Sequence, residues 1–224
     1  DALSDESASY TVFAPTNAAF ATFLDAKGFA SVDDVPADVL ANILLNHVLV
    51  GKVPSSQVAT GYANTLATYG STESNVDMYI NTASGVVING GIANGGATVS
   101  SVDIEANNGV VHVVNGVIDI PNVPIFAAAN PDFSILVDAL TDSRLSTNYV
   151  DFLSGDGPFT VFAPNNAAFA DLLVELNVNG LADIDAALLE AVLTYHVVAG
   201  ANVLAAGITE GAPVTTAQGE TFSI

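Results

Sequence analysis

Thr11-Val12-Phe13-Ala14-Pro15-Thr16-Asn17-Ala18-Ala19-Phe20-Ala21 decides how this chain is read, because it occurs twice. Thr160-Val161-Phe162-Ala163-Pro164-Asn165-Asn166-Ala167-Ala168-Phe169-Ala170 repeats it 149 positions later with a single change. In the same frame Leu44 matches Leu193, His47-Val48 matches His196-Val197, and Gly51 matches Gly200. One pentapeptide recurs by chance; this many positions in unbroken register do not. The period is far longer than that of a stacked solenoid repeat, so two globular domains of one fold are implied. Two prolines in Asp119-Ile120-Pro121-Asn122-Val123-Pro124 interrupt any regular element and place the boundary there, giving domains 1–123 and 124–224.

The copies are incomplete in opposite senses. The second has a long stretch between the boundary and Thr160, whereas Thr11 stands close to the start of the chain. The first continues well past Gly70, while the second stops soon after the matching Gly219. Domain 1 is therefore expected to lack N-terminal helices and domain 2 to lack C-terminal strands. The chain reads as a stretch of a longer protein, with exchange of the absent pieces between chains as a second option. The opening Asp1-Ala2-Leu3-Ser4-Asp5-Glu6 has no basic or apolar leader character, so a signal peptide is expected to be absent or already removed.

Composition narrows the function. With 24 acidic and 3 basic residues the formal charge is −21, which repels phosphate backbones and anionic membrane surfaces. Nucleic acid is excluded as a partner on that ground. No apolar run approaches the roughly 20 residues of a membrane span. Cysteine is absent, removing disulfides, thiol nucleophiles and thiolate metal sites, and no Asn-x-Ser/Thr sequon occurs.

The local pattern is α+β. Tyr10 to Phe13 is β-type and ends at Pro15. Thr16 or Asn17 can cap a helix carrying Phe20, Phe23 and Leu24 on one face, closed by Gly28. A second helix starts near Pro36, with Val39, Leu40, Ile43, Leu44 and Val48 as one apolar stripe and His47 on it. From about Leu66 short strands and Gly-rich turns follow: Val76 to Ile80, Val86 to Ile88, and a hairpin of Val99 to Ile104 with Val110 to Val114 around Asn107-Asn108-Gly109. Val117 to Ile120 reads as a last strand. In the second copy Phe133, Leu136, Val137 and Leu140 define an earlier helix.

Residues 11–23 and 160–172 resemble the first signature stretch of the fasciclin domain family. Asn107 to Val117, with His112 at its centre, resembles the second, and Tyr195-His196 matches the family's Tyr-His pair, for which the first copy has Asn46-His47. The resemblance covers nearly the whole chain. It implies two fasciclin-type domains, each a wedge-like antiparallel β-sandwich with a helical layer. It also implies a secreted, surface-anchored or matrix setting and a role in adhesion.

Thr11, Phe13, Pro15, Asn17, His47 and His112, with Thr160, Phe162, Pro164 and Asn166, are read as structural signature residues. A histidine on an apolar stripe is normally a hydrogen-bonded core residue rather than a ligand. The resemblance carries partner binding to Tyr195 and His196. Asp103-Ile104 stands where some animal relatives have a receptor-binding Asp-Ile pair, although Val102 and Glu105 flank it here. Asp33-Asp34 and Asp183-x-Asp185 precede the second helix of each copy, where acids complement the positive helix end. No run has the ligand spacing of a calcium loop, no Gly-x-Ser-x-Gly elbow or phosphate loop is present, and three basic residues offer little to an anionic transition state. The expectation is a non-catalytic extracellular adhesion or binding module without metal or cofactor. It would be secreted or surface-attached, periplasmic or outer-membrane-attached in a Gram-negative bacterium, and bind an extracellular protein, matrix or cell-surface glycan. A carbohydrate-binding surface module is the alternative, against which stands the absence of tryptophan.

Overall fold

The computed structural model describes residue 3, residues 7–69 and residues 74–223. Most of the opening hexapeptide, and Gly70, lie outside them. The chain divides into two compact units, residues 1–121 and 122–224.

In the first unit, β1 (Tyr10–Pro15) leads into α1 (Asn17–Lys27), α2 (Ala37–Leu45) and β2 (Val48–Val50). Thr16 caps α1 by accepting the Ala19 amide at 3.2 Å, and Gly28 closes it in the left-handed conformation at φ 75°. Strands β3 (Gly61–Thr68), β4 (Asn75–Asn81), β5 (Val87–Ile88), β6 (Ala97–Ala106) and β7 (Gly109–Val114) follow. Neighbours in sequence pair antiparallel, and β7 closes the ring on β1. This last pair departs from the antiparallel expectation: β1 and β7 run parallel, Tyr10 opposite Gly109 and Pro15 opposite Val114. The alternation of β1 sends Thr11 and Phe13 inward, and Phe13 joins Leu49, Met78, Ile80, Ile88 and Val114 in the barrel core.

Three local readings need correction. Val117 to Ile120 forms no strand ladder; side chains hold it instead, as described below. His47 and Val48 lie beyond α2, which ends at Leu45. The stripe of α2 is also split: Ile43 is buried, whereas Val39 and Leu44 are exposed.

The second unit starts with α3 (Val123–Ala129), α4 (Ser134–Leu140) and α5 (Tyr149–Ser154). Pro124 does not interrupt an element; it sits in the first turn of α3, where its missing N–H costs nothing, and Asn122 caps that turn. Then β8 (Phe159–Val161), α6 (Asn166–Glu175), α7 (Ala186–Tyr195) and β9 (Val197–Ala199) reproduce the order β1-α1-α2-β2, down to the 3-10 turns Val32–Asp34 and Leu181–Asp183. The ladder of β10 (Pro213–Thr215) with β11 (Thr221–Ser223) ends the described chain. The core of this unit is helical, with Leu136, Leu140, Tyr149 and Leu153 packed on Phe169, Leu189 and Leu193.

Candidate binding site

Thr11, Phe13 and His47 form the same hydrogen-bonded frame as Thr160, Phe162 and His196. The Phe13 amide donates to the His47 carbonyl at 2.9 Å, and the Phe162 amide donates to that of His196 at 2.9 Å. The Thr11 hydroxyl donates to Gly51 O at 2.7 Å and accepts the Val53 amide at 2.8 Å. Thr160 does the same with Ala201 O at 2.9 Å and the Val203 amide at 2.8 Å. A hydroxyl suits this place because one small atom both donates and accepts there.

His47 is buried, and both ring nitrogens are used. Nδ1 lies 2.8 Å from Ile43 O, and Nε2 accepts the Ile118 amide at 2.8 Å. The amide can only donate, so the proton sits on Nδ1 and the ring is neutral. Burial, opposed by the Ile43 carbonyl, pushes its pKa down to about 4. Asn46, fully buried where the second unit has Tyr195, donates to Ile118 O and Asp119 O at 3.2 and 3.0 Å. Asn46 and His47 thus hold residues 118–119 in place of a strand partner. His112 is equally spent: Nδ1 accepts the Asp103 amide at 3.2 Å, Nε2 reaches Val53 O at 3.0 Å, and the ring packs on Phe13.

Asp103 sits in a bulge of β6 with φ 59°. Its carboxylate accepts the Ser55 amide at 2.7 Å and the Ser55 hydroxyl at 2.5 Å, which hold it below the usual carboxylate range. The carboxylate therefore faces the 3-10 turn Ser55–Gln57, while Ile104 is exposed. In the second unit Tyr195 packs at a tilt against Phe222, Phe222 meets Phe162 edge-on, and His196 Nδ1 lies 2.8 Å from Val192 O. Tyr195 and His196 are half-buried. Asp103-Ile104 belongs to the first unit and Tyr195-His196 to the second.

Sequence reasoning missed several polar side chains. Asn89 takes the place of a ladder residue: its Oδ1 accepts the Tyr79 backbone amide at 2.8 Å while its backbone N–H donates to Tyr79 O at 2.8 Å. The Asn-Gly-Gly stretch signalled a turn but not this pairing. Arg144 donates to the carbonyls of Leu181, Ala182 and Ile184 at 2.9, 3.0 and 2.9 Å, anchored by Asp142. Glu190 accepts Ser146 Oγ at 2.5 Å and Tyr149 OH at 3.0 Å, which lower its pKa. These contacts join sequence-distant segments, and nothing in the local pattern announces them. A cleft of about 350 Å³ beside α1 is lined by Phe23, Ile92 and Val117 together with the Lys27–Asp119 ion pair. Among the described residues no cluster of His, Cys, Asp or Glu is arranged to hold a metal ion, and no single helix is long and apolar enough to cross a membrane.

One hydrogen-bonded frame used twice, in a barrel-based first unit and a helix-rich second unit, defines a tandem of two related domains. The chain belongs to the fasciclin domain family, whose model matches residues 1–121 and 131–224. It is 29% identical over 218 residues to the pig transforming growth factor-beta-induced protein ig-h3, covering 96% of this chain and 29% of that protein. It is 41% identical over 113 residues to the immunogenic protein MPB70 of Mycobacterium bovis, covering 46% and 55%. It is 48% identical over 80 residues to the cell surface glycolipoprotein MPB83 of the same organism, covering 34% and 35%. The chain thus spans little more than half of these relatives' length at most. A solved FAS1 domain pair from the insect cell adhesion molecule Fasciclin I has the same fold, with TM-score 0.52 and 16% identity over 96% of this chain and 75% of that one.

Proposed function

We propose that this chain is a secreted or surface-attached binding module that acts in adhesion and carries no catalytic chemistry. The observation that carries the reading is the fasciclin match over both units, together with similarity to a cell surface glycolipoprotein. The chemistry agrees. A general base needs a free ring nitrogen or a poised carboxylate; His47 and His112 have both nitrogens engaged, and Asp103 is held ionised by Ser55. The contact residues are Tyr195 and His196 in the second unit, and Ile104 with the Asp103 bulge that aims it in the first. Protein or matrix is preferred over glycan as partner, since the chain has no tryptophan to stack on sugar rings.

Immobilised chain tested in parallel against purified extracellular matrix proteins and a glycan array is the direct experiment. Saturable binding to a matrix protein, reduced by Tyr195→Ala or Ile104→Asp, is expected. Binding confined to the glycan array, or to neither, would overturn the reading.

A further inference from the structure

Five Asn-Gly pairs stand in this chain, at Asn89, Asn94, Asn108, Asn115 and Asn179. Such a pair can lose its side-chain amide without an enzyme, because glycine leaves its own backbone nitrogen sterically open to reach the asparagine side chain. The reaction needs a side chain free to turn, a following N–H that is not engaged, and room for the backbone to close a small ring.

Four of the pairs are held. Asn89 is fully buried, and its Oδ1 accepts the Tyr79 amide at 2.8 Å. Asn94 donates through Nδ2 to Asn89 O at 3.0 Å, and the Gly95 N–H donates to Ile92 O at 3.2 Å. Asn108 donates through Nδ2 to Leu3 O at 2.9 Å, its carbonyl accepts the Tyr10 amide at 2.9 Å, and Gly109 is buried against the Tyr10 backbone. Asn115 accepts the Thr98 amide on Oδ1 at 2.7 Å, its own N–H donates to Thr98 O at 3.1 Å, and Gly116 is buried against Gly96.

The fifth is open. Asn179 is exposed, between α6 and the 3-10 turn Leu181–Asp183, and its side chain makes no hydrogen bond among the described residues. The repeat shows how Gly180 comes to be free. In the first unit the matching Ser31 amide donates to the Asp34 carboxylate at 2.9 Å. In the second the matching Asp183 carboxylate accepts the Asn179 amide instead, at 3.0 Å, which leaves the Gly180 N–H without a partner among the described residues. Nothing lies within 4 Å of where a Gly180 Cβ would be.

We infer that Asn179 is the site at which the folded chain modifies itself, by deamidation. The Gly180 nitrogen bonds to Asn179 Cγ, the Cγ–Nδ2 bond breaks, and ammonia leaves with the proton of the Gly180 amide. Solvent water then opens the succinimide at either carbonyl, giving aspartate or isoaspartate. Both products add a negative charge close to Asp183, and isoaspartate also lengthens the backbone by a methylene, which displaces the amide that Asp183 holds. Arg144 binds the Leu181, Ala182 and Ile184 carbonyls of the adjoining turn, so the modification loosens the tie between that turn and the segment joining α4 to α5.

The test holds the full-length chain in mildly alkaline buffer, native and in urea, until the urea sample has converted half of its Asn-Gly pairs, and maps them by peptide mass spectrometry. Native Asn179 should convert within about threefold of its rate in urea, and at least about tenfold faster than the other four pairs. Gly180→Ala, at an open and extended position, should fold normally and slow the conversion at least about tenfold. Native protection of Asn179 equal to that of Asn89, another pair converting as fast, or indifference to Gly180→Ala would overturn the proposal. Hydrogen exchange reads the consequence: the Asp183 and Ile184 amides should exchange several-fold faster in the converted fraction. Unchanged exchange there would overturn the loosening of the turn.

Discussion

His47 can bind a proton only by giving up the Ile118 amide, because its Nδ1 already points at Ile43 O. Its folded pKa of about 4 lies below the ordinary 6.5, so between these values the unfolded chain binds the extra proton. The resulting stability is complete above about pH 6.5 and falls as pH drops toward 4, by up to about 3 kcal/mol at this site. Urea unfolding of the wild type and of His47→Gln at pH 7 and pH 4.5 checks this: the wild type should lose more on acidification. Equal losses would mean that the ring protonates without disturbing residues 118–119. Asp103 makes a different kind of prediction. Its carboxylate stays charged through ordinary pH and holds the Ser55 amide. Asp103→Ala should therefore speed hydrogen exchange at Ser55 several-fold, while the buried strands keep their protection. Unchanged exchange at Ser55 would leave Asp103 free to serve a partner.

At the scale of elements the repeat is its own control. Leu44 and Leu193 hold one position on equivalent helices, yet only Leu193 is buried. Leu193→Ala should cost about 2–5 kcal/mol, as for other buried leucines. Leu44→Ala should stay within about 1 kcal/mol. Matching losses in thermal or chemical unfolding would contradict the exposure difference. This contrast also shows what the sequence made legible. The cap at Thr16, the stop at Gly28, the hairpin at Asn107-Asn108 and the helix carrying Leu136, Val137 and Leu140 rest on neighbours in the chain, and all are readable; Phe133 falls in the 3-10 turn just before that helix. The closure of β1 on β7 was not, because parallel pairing depends on residues about a hundred positions apart, with no turn to signal it. Leu44 and Leu193 are the same letter in the same pattern, so periodicity could not tell that α4 covers one of them. The strand expected at Val117 to Ile120 failed for a related reason. Its alternation is β-like, but Asn46 and His47 satisfy its backbone from the side.

For the molecule as a whole, charge sets how it behaves toward itself and others. Each of the three basic residues is committed to a carboxylate: Lys27 to Asp119, Lys52 to Glu105 and Arg144 to Asp142. The remaining acids are a surplus with no counter-charge in the chain, and they repel one another across its surface. Salt shortens the reach of that repulsion from about 30 Å at 0.01 M to about 10 Å at 0.1 M. The melting temperature should therefore rise by several degrees over this range and then level off; a flat or falling curve would show that surplus charge does not limit stability. Partner selection follows from the same field. A field of this sign steers basic partners toward the surface, so raising salt should lower their association rate while leaving dissociation nearly unchanged. Stopped-flow or surface-resonance kinetics separate the two rates. A salt effect confined to dissociation would place the attraction in short-range contacts rather than in the long-range field of the acidic surface.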